Sequence, residues 1–505
     1  MDAAKRVLEP LFLLTALAFV HCKSPPNIVF ILADDLGFHD IGYHDNNVVK
    51  TPNLDALAGA GVKLENYYVQ PTCTPTRSQL MSGRYQIHTG LQHGIIWSAQ
   101  PNCLPLEDPT VAEKLQEAGY ATHVVGKWHL GFYKRACWPT NRGFNSFFGF
   151  LGGNQGYSNH ISRGGGPYRF AKNWQGLDLR DNLQPAKNYS GIYSTHLFAM
   201  RAQDVIRQHD RSMPLFLYVP FQAVHGPLKV PKKYEQQYAN VSIRSRRVYA
   251  GMTTCMDEAV GNITSTLKEQ GLWNNTVLVF STDNGGDTNK GSSNWPLRGG
   301  KGSHFEGGIR AVGFVSSPLL PADVRGTISR ELIHVSDWFP TLVQGLAGHS
   351  LNGTNLDGFN VWNTISSRLP SPREELVYNI DPMGHRPEVC NDTRSKFSTY
   401  IRAAIRYKDW KLITGYPGSS RWIPPAESGL APIIPDTPKG KCVWLFNITD
   451  DPSERLDRSS EQVEVVDFLL GRLQHYQETA VPVRFPDGDP DANPALHDNV
   501  WDSWE

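Results

Sequence analysis

The chain has 505 residues, with Lys plus Arg and Asp plus Glu equal at 49 each and 40% hydrophobic residues. That length exceeds one ordinary core, so two domains are expected. The balanced charge excludes the clustered basic excess of a nucleic-acid binder, and 13 Trp with 35 Pro favour a large, loop-rich enzyme over a helical scaffold.

In chain order, Lys5 and Arg6 precede the apolar run Leu11–Val20, and Lys23-Ser24-Pro25 follows it. The run is too short to span a bilayer and suits the apolar centre of a signal peptide, assigned to residues 1–22. A short anchor or a buried helix is the alternative. No later stretch is long and apolar enough to be transmembrane, so no stable membrane insertion is expected. Asn27–Ala33 is a continuous apolar run, as in a strand buried on both faces, and it stops abruptly at Asp34-Asp35. Pro52–Ala60 reads as a short helix closed by Gly61, and Thr110–Ala118 as another closed by Gly119. Ala121–Val125 reads as a strand that leads into Gly126-Lys127-Trp128-His129-Leu130-Gly131. The glycine-rich stretch Gly152–Pro167 reads as a long surface or pocket-lining loop. Leu197–His209 is helix-like, Pro214–Pro220 is a strand leading to His225, and Met256–Gln270 is a helix. Thr276–Ser281 is a further buried strand, ending in Asp283-Asn284-Gly285-Gly286.

This alternation predicts an α/β fold with a large mixed, mostly parallel sheet flanked by helices. In such sheets the ligand site lies beyond the carboxyl ends of the strands, where these polar residues sit. After about residue 385 the pattern changes. Tyr400–Ile405, Trp410–Thr414 and Val443–Asn447 are short strand candidates among Pro/Gly-rich loops. They predict a smaller α+β domain with an antiparallel sheet over 386–505, beside a catalytic domain over 23–385.

Two constellations stand out. Asp34-Asp35 and Asp283-Asn284 each end a buried strand. If the strands are neighbours, three carboxylates and an amide converge, and a hard divalent cation would relieve that charge. Oxygen-only ligands favour calcium or magnesium over zinc. The alternative is that Asp35 and Asp283 only cap turns before helices. The second is Cys73-Thr74-Pro75-Thr76-Arg77, a Cys and a Pro suited to a first helical turn with an Arg one turn on. A helix N-terminus lowers a thiol pKa and attracts anions. The alternative is half of a disulfide.

Seven Asn-x-Ser/Thr sequons, at Asn188, Asn240, Asn262, Asn274, Asn352, Asn391 and Asn447, point to a glycosylated protein of the secretory pathway, lysosomal or extracellular. Seven cysteines are an odd count. Losing Cys22 with the signal leaves Cys73, Cys103, Cys137, Cys255, Cys390 and Cys442, enough for three disulfides.

Cys-x-Pro-x-Arg followed by Ser78-Gln79-Leu80-Met81-Ser82-Gly83-Arg84-Tyr85 resembles the signature of the sulfatase family. Asn27–Gly37, Gly126–Gly131, Asp283–Gly286 and Pro296–Gly308 resemble family blocks in the family's order. Within the family the likeness is strongest to the arylsulfatase B (N-acetylgalactosamine-4-sulfatase) branch, carried by Gln86–Trp97, Gly251–Asn275 and Glu331–Thr341. The resemblance implies an alkaline-phosphatase-like fold and a nucleophile made when a formylglycine-generating enzyme oxidises Cys73. The hydrated aldehyde would attack sulfur with one hydroxyl, and the other would lose its proton to release sulfate, which an ordinary serine could not do. It implies one Ca2+ per chain held by Asp34, Asp35, residue 73, Asp283 and Asn284. It assigns Arg77 to the diol, Lys127 and Lys301 to the sulfate, His129 to residue 73 and its proton, and His225 to the leaving oxygen, with Lys301 a candidate proton donor. Trp128 and His304 read as packing.

The same resemblance implies disulfides Cys103–Cys137 and Cys390–Cys442, with Ala99 where a further family cysteine would stand and Cys255 left as a buried free thiol. Gly152–Tyr189 departs from the family pattern, as do Gly300, Gly302 and His304. The implied substrate is a sulfated sugar or glycosaminoglycan, with 4-sulfated N-acetylgalactosamine foremost. A phosphomonoester or phosphodiester hydrolase would use Ser or Thr with zinc. A catalytically inactive sugar-binding protein would have no need to keep Cys73, Lys127, His129, His225 and Lys301 together.

Overall fold

The computed structural model describes residues 25–384, 396–438 and 440–505. The signal segment, Cys390 and the sequon at Asn391 lie outside the described residues. Among the described residues the large sheet has ten strands: β1 (Asn27–Ala33), β2 (Val62–Leu64), β3 (Ala121–Lys127), β4 (Ser146–Phe150), β5 (Arg180–Asp181), β6 (Gln184–Pro185), β7 (Leu215–Pro220), β8 (Thr276–Thr282), β9 (Gly313–Ser316) and β10 (Thr327–Ser329). Their spatial order is β10-β2-β9-β8-β1-β7-β3-β4-β5-β6. The central run from β8 to β4 is parallel, and β9 and β5 join it antiparallel on either side.

The apolar runs are continuous because both faces of this sheet are covered. Ile28, Phe30 and Leu32 of β1 and Val277 and Val279 of β8 enter one core, while Val29, Ile31 and Ala33 with Leu278 and Phe280 enter the other. Each such side chain contributes roughly 1.5–3 kcal/mol when fully buried. The second face is covered by α2 (Ser194–Gln208) and α3 (Arg244–Glu269), and the first takes Leu80 and Met81 from α1 (Cys73–Ser82).

The helix expected at Met256–Gln270 starts at Arg244. Gly251 and the Thr253-Thr254 pair weaken its first half as a sequence signal, but Val248, Tyr249, Met252 and Cys255 form one buried stripe that packing stabilises. Gly152–Pro167 is not all loop, since Ile161–Arg163 pairs antiparallel with Gln175–Leu177.

The smaller unit is a four-stranded antiparallel sheet, β11 (Glu375–Asp381), β12 (Arg402–Tyr407), β13 (Trp410–Thr414) and β14 (Val443–Asn447), covered by α4 (Val463–Thr479). Its first strand lies ahead of residue 385, and its core continues into Tyr68, Tyr85, Phe305 and Ile309 of the large unit. Lys411 Nζ lies 2.8 Å from both Glu306 Oε1 and Glu454 Oε1, and all three side chains are fully buried. Removing one partner of such a group leaves uncompensated buried charge, so Lys411→Met is expected to lose about 3–5 kcal/mol. An unchanged thermal midpoint in that variant would contradict this account of the junction.

Beyond α4 the chain returns to the large unit. Asp489 N donates to Ala99 O at 2.7 Å, Trp504 N donates to Tyr133 O at 2.9 Å, and Trp501 is fully buried in the first core. Cys103 and Cys137 form the expected disulfide. Cys255 is buried without one, its Sγ 3.3 Å from His196 Nε2. No helix among the described residues is long and apolar enough to cross a membrane.

Candidate active site

The register of the central strands builds the site. Ala33 of β1 lies beside Thr282 of β8, and Asp283 N donates to Ala33 O at 3.0 Å, so Asp34-Asp35 and Asp283-Asn284 leave the sheet side by side. β7 runs parallel on the other side of β1 and feeds the loop to His225, and β3 beside it ends at Lys127 and leads to His129. Neither Asp35 nor Asp283 caps a helix among the described residues, which removes the turn-capping alternative. α1 begins at Cys73 after Thr72, and all ten of its residues are buried, Arg77 one turn in.

The candidate catalytic and metal-ligating residues of the sequence converge here. Arg77 donates from Nε (3.1 Å) and Nη2 (2.8 Å) to Asp283 Oδ2 and from Nη1 to Lys127 O. Lys127 Nζ lies 2.5 Å from Asp34 Oδ2, and Lys301 Nζ lies 2.5 Å from Asp35 Oδ1. Cys73 Sγ sits 3.6 Å from Asp34 Oδ1 and 3.8 Å from Lys301 Nζ. His225 Nε2 is 3.7 Å from Asp35 Oδ2, and its Nδ1 lies 2.7 Å from Gly226 O. Asn284 Nδ2 donates to Asp35 Oδ1 at 2.7 Å.

Two of these residues stand in the left-handed backbone region, Asp35 at φ 61° and His129 at φ 57°. Non-glycine residues held there cost about 1–3 kcal/mol, which the surrounding structure must offset.

The electrostatics correct two expectations. Three carboxylates, Asp34, Asp35 and Asp283, meet three cations, Arg77, Lys127 and Lys301, so charge alone does not demand a metal. Sequence order hid this, because the cations come from three separate segments. Burial pushes Asp34 up, but Lys127, His225 and Arg77 hold it well below the usual carboxylate range. Burial and then the charge of Asp34 raise Asp283 to about 6. The helix start does not lower the Cys73 thiol. Burial first, then Asp283 and Asp34, push it up to about 12, because losing water outweighs the dipole at a buried site. An unmodified Cys73 therefore stays a neutral thiol. Burial and the nearby Lys127 and Arg77 keep His129 neutral, and burial and Lys301 lower His225 to about 4.

A divalent cation still fits this donor set. Asp35 Oδ2 and Asn284 Oδ1 are buried and accept no hydrogen bond, which is expensive unless something else satisfies them. Ligating atoms of Asp34, Asp35, Cys73 and His225 all lie within 4.8 Å of one another. Oxygen dominates this set once Asp283 and Asn284 are counted, as a hard cation requires.

Cys73 opens onto a cavity of about 350 Å³ walled by Ile96, Trp97, His129, Asn154, His225 and Lys301. Sequence reading missed Asn154 and Trp97 as wall residues, although both lie in segments it had marked. Gly153 packs on the His129 ring so closely that a Cβ there would stand 2.9 Å from Nε2. His129 Nε2 is 3.2 Å from Ile96 O, which places the proton on Nε2 and leaves Nδ1 buried with no partner. Trp128 is packing, donating from Nε1 to Cys137 O, and His304 is fully buried behind the site.

The family model described as Sulfatase matches residues 26–349. Arylsulfatase J of Mus musculus is 50% identical over 492 residues, covering 95% of this chain and 80% of that protein. Arylsulfatase A of Homo sapiens is 30% identical over 461 residues, covering 88% and 86%. Among solved structures, Ps i-CgsB in complex with k-i-k-neocarrahexaose superposes with a TM-score of 0.75 at 27% identity, covering 92% of this chain and 95% of that one.

Proposed function

Because the chain belongs to the sulfatase family, we propose that it hydrolyses the sulfate esters of sugars through residue 73, with 4-sulfated N-acetylgalactosamine of glycosaminoglycans as the preferred substrate. The observation that carries this reading is the placement of Cys73. It sits at the start of a buried helix and the floor of a sugar-sized cavity, with carboxylates, two lysines and two neutral histidines around it.

Oxidised to formylglycine and hydrated, residue 73 would supply one hydroxyl to attack sulfur and a second whose deprotonation frees sulfate. Asp34, Asp35, Asp283 and Asn284, with residue 73, would hold calcium, which supplies charge for a sulfate oxygen and favours an ionised nucleophile. Lys127 and Lys301 bind the sulfate and oppose the charge that builds on its oxygens. Arg77, fixed by two hydrogen bonds to Asp283, aims that carboxylate and opposes the upward pull of burial on it. His129 Nδ1 is the free acceptor for a proton at residue 73, since Nε2 is committed to Ile96 O. His225 lies toward the leaving oxygen, and Lys301 is the candidate donor to it.

The signal segment and sequons support synthesis in the secretory pathway, with lysosomal or extracellular delivery and a formylglycine-generating enzyme as a transient partner. The relative named arylsulfatase J supports sulfate-ester hydrolysis, and the 4-sulfated sugar rests on the sequence resemblance. The first test is the mass of the peptide containing residue 73, from protein made in a eukaryotic secretory system. An aldehyde mass with no reaction toward a thiol alkylator is expected. A free thiol or a disulfide, in cells that modify other sulfatases, would favour a sugar-binding protein without turnover.

A further inference from the structure

A second cavity, of about 540 Å³, adjoins the first and shares Asn154, Arg163 and His225 with it. Its other walls include Tyr157, Asn159, Lys229 and Lys290, and none of its lining residues is a carboxylate. Arg163 and Lys229 are exposed and make no ion pair with any described residue. Lys290 pairs with Asp287 at 3.2 Å, but its chain lies against Gly226, so that a Cβ there would stand 3.4 Å from Nζ. Three cations, two of them without an ion pair among the described residues, therefore surround a hollow that His225 also lines.

This hollow is a built feature rather than a gap between loops. Tyr157 OH donates to His225 O at 2.8 Å, and Gln222 Nε2 donates to Gln155 O at 2.6 Å. Ser194 N, at the start of α2, donates to Tyr157 O at 2.7 Å. The glycine-rich stretch that departs from the family pattern is thus tied to the loop bearing His225, and the two cavities share one wall. Unpaired cations in a concave, carboxylate-free surface attract anions. Asn154, Asn159 and Tyr157 add the few placed polar groups that orient a sugar.

We propose that this second cavity is an anion-binding subsite for the sugar next to the one carrying the scissile sulfate, so that the protein selects glycan chains bearing a second sulfate or carboxylate. The proposal rests on reading the Cys73 cavity as a sulfate-ester site. Lys229 and Lys290 set specificity there without touching the reacting atoms.

The test separates the two readings. Turnover of a small aryl sulfate reports the Cys73 cavity alone. Affinity for a chondroitin sulfate tetrasaccharide, measured in a Cys73→Ala background to prevent turnover, reports both cavities. In Lys229→Ala/Lys290→Ala, aryl sulfate kcat/KM is expected to be unchanged. The tetrasaccharide Kd is expected to rise about two- to fivefold for each lysine removed, as exposed ion pairs do, with the difference shrinking at high salt. An unchanged Kd overturns the subsite, and so does an equal loss of aryl sulfate turnover. If the unaltered protein turns over no aryl sulfate, the hydrolase reading fails by itself, and the tetrasaccharide Kd still decides whether the second cavity binds anions.

Discussion

Cys73→Ala is expected to lower sulfate-ester turnover by at least about four orders of magnitude, the scale seen when a covalent nucleophile is removed, and to leave the fold intact. The stability half of this result follows from the contacts. Cys73 is 3% exposed, but its Sγ makes only two long polar contacts, 3.6 Å to Asp34 and 3.8 Å to Lys301. Losing one sulfur there removes little buried area, and α1 keeps its other nine residues and its Arg77–Asp283 anchor. The activity half follows because alanine offers no nucleophilic atom. Thr72 and Thr74 flank the position, but Thr74 Oγ1 is engaged with His129 O. Cys73→Ser sharpens the test. A serine hydroxyl can attack sulfur but has no second hydroxyl to expel the product, so a sulfate ester should persist on residue 73 after one event. Multiple turnovers in Cys73→Ala, measured on an aryl sulfate with the fold checked by circular dichroism, would sink the mechanism.

The second large effect is expected at Asp283. Asp283→Ala should lose bound calcium and activity together, with activity down about a thousandfold or more, as when a preorganised electrostatic group is removed. Its Oδ2 holds Arg77 through two bonds and its Oδ1 faces Asp35 N at 3.4 Å. Deletion therefore leaves a buried guanidinium with the Lys127 carbonyl and one more distant carboxylate, Asp34, 3.5 Å away. Breaking a buried pair costs about 3–5 kcal/mol, so Asp283→Asn is the companion variant, keeping the shape while removing the charge. Metal content by mass spectrometry is the readout apart from activity. Full calcium occupancy in both variants would remove Asp283 from the ligand set, and zinc in the unaltered protein would count against the site as assigned.

The parts of this site that were legible in the sequence are those set by strand ends. An apolar run that stops at Asp34-Asp35 and another that stops at Asp283-Asn284 can be neighbours only if β1 and β8 pair, and a parallel sheet makes such pairing natural. What could not be read was which distant side chains close on them. Lys127, Lys301 and Arg77 neutralise the three carboxylates, a balance that depends on a strand end, a loop and a helix meeting in space. The thiol was misjudged for a related reason, because a helix start is visible in sequence and the burial that overrides it is not. Arg163, Lys229 and Lys290 carry no motif at all, and only the path of the stretch after Gly152 makes them neighbours. The start of α3 at Arg244 was hidden by its glycine and threonines, whose weak helix propensity is overruled by contacts with α2 and burial in the core that lies on the sheet.

The return of the chain after α4 bears on how the nucleophile could be made. Residues past 480 brace the loop at Ala99 and bury Trp501 in the core of the large unit, yet they leave the ribosome after everything they pack against. Until they arrive, the core of the large unit lacks Trp501. Cys73, almost sealed in the finished fold, would stay within reach of a modifying enzyme for as long as that last segment is still being synthesised. If residue 73 is oxidised as proposed, the order in which the chain is made would set how long it can be reached.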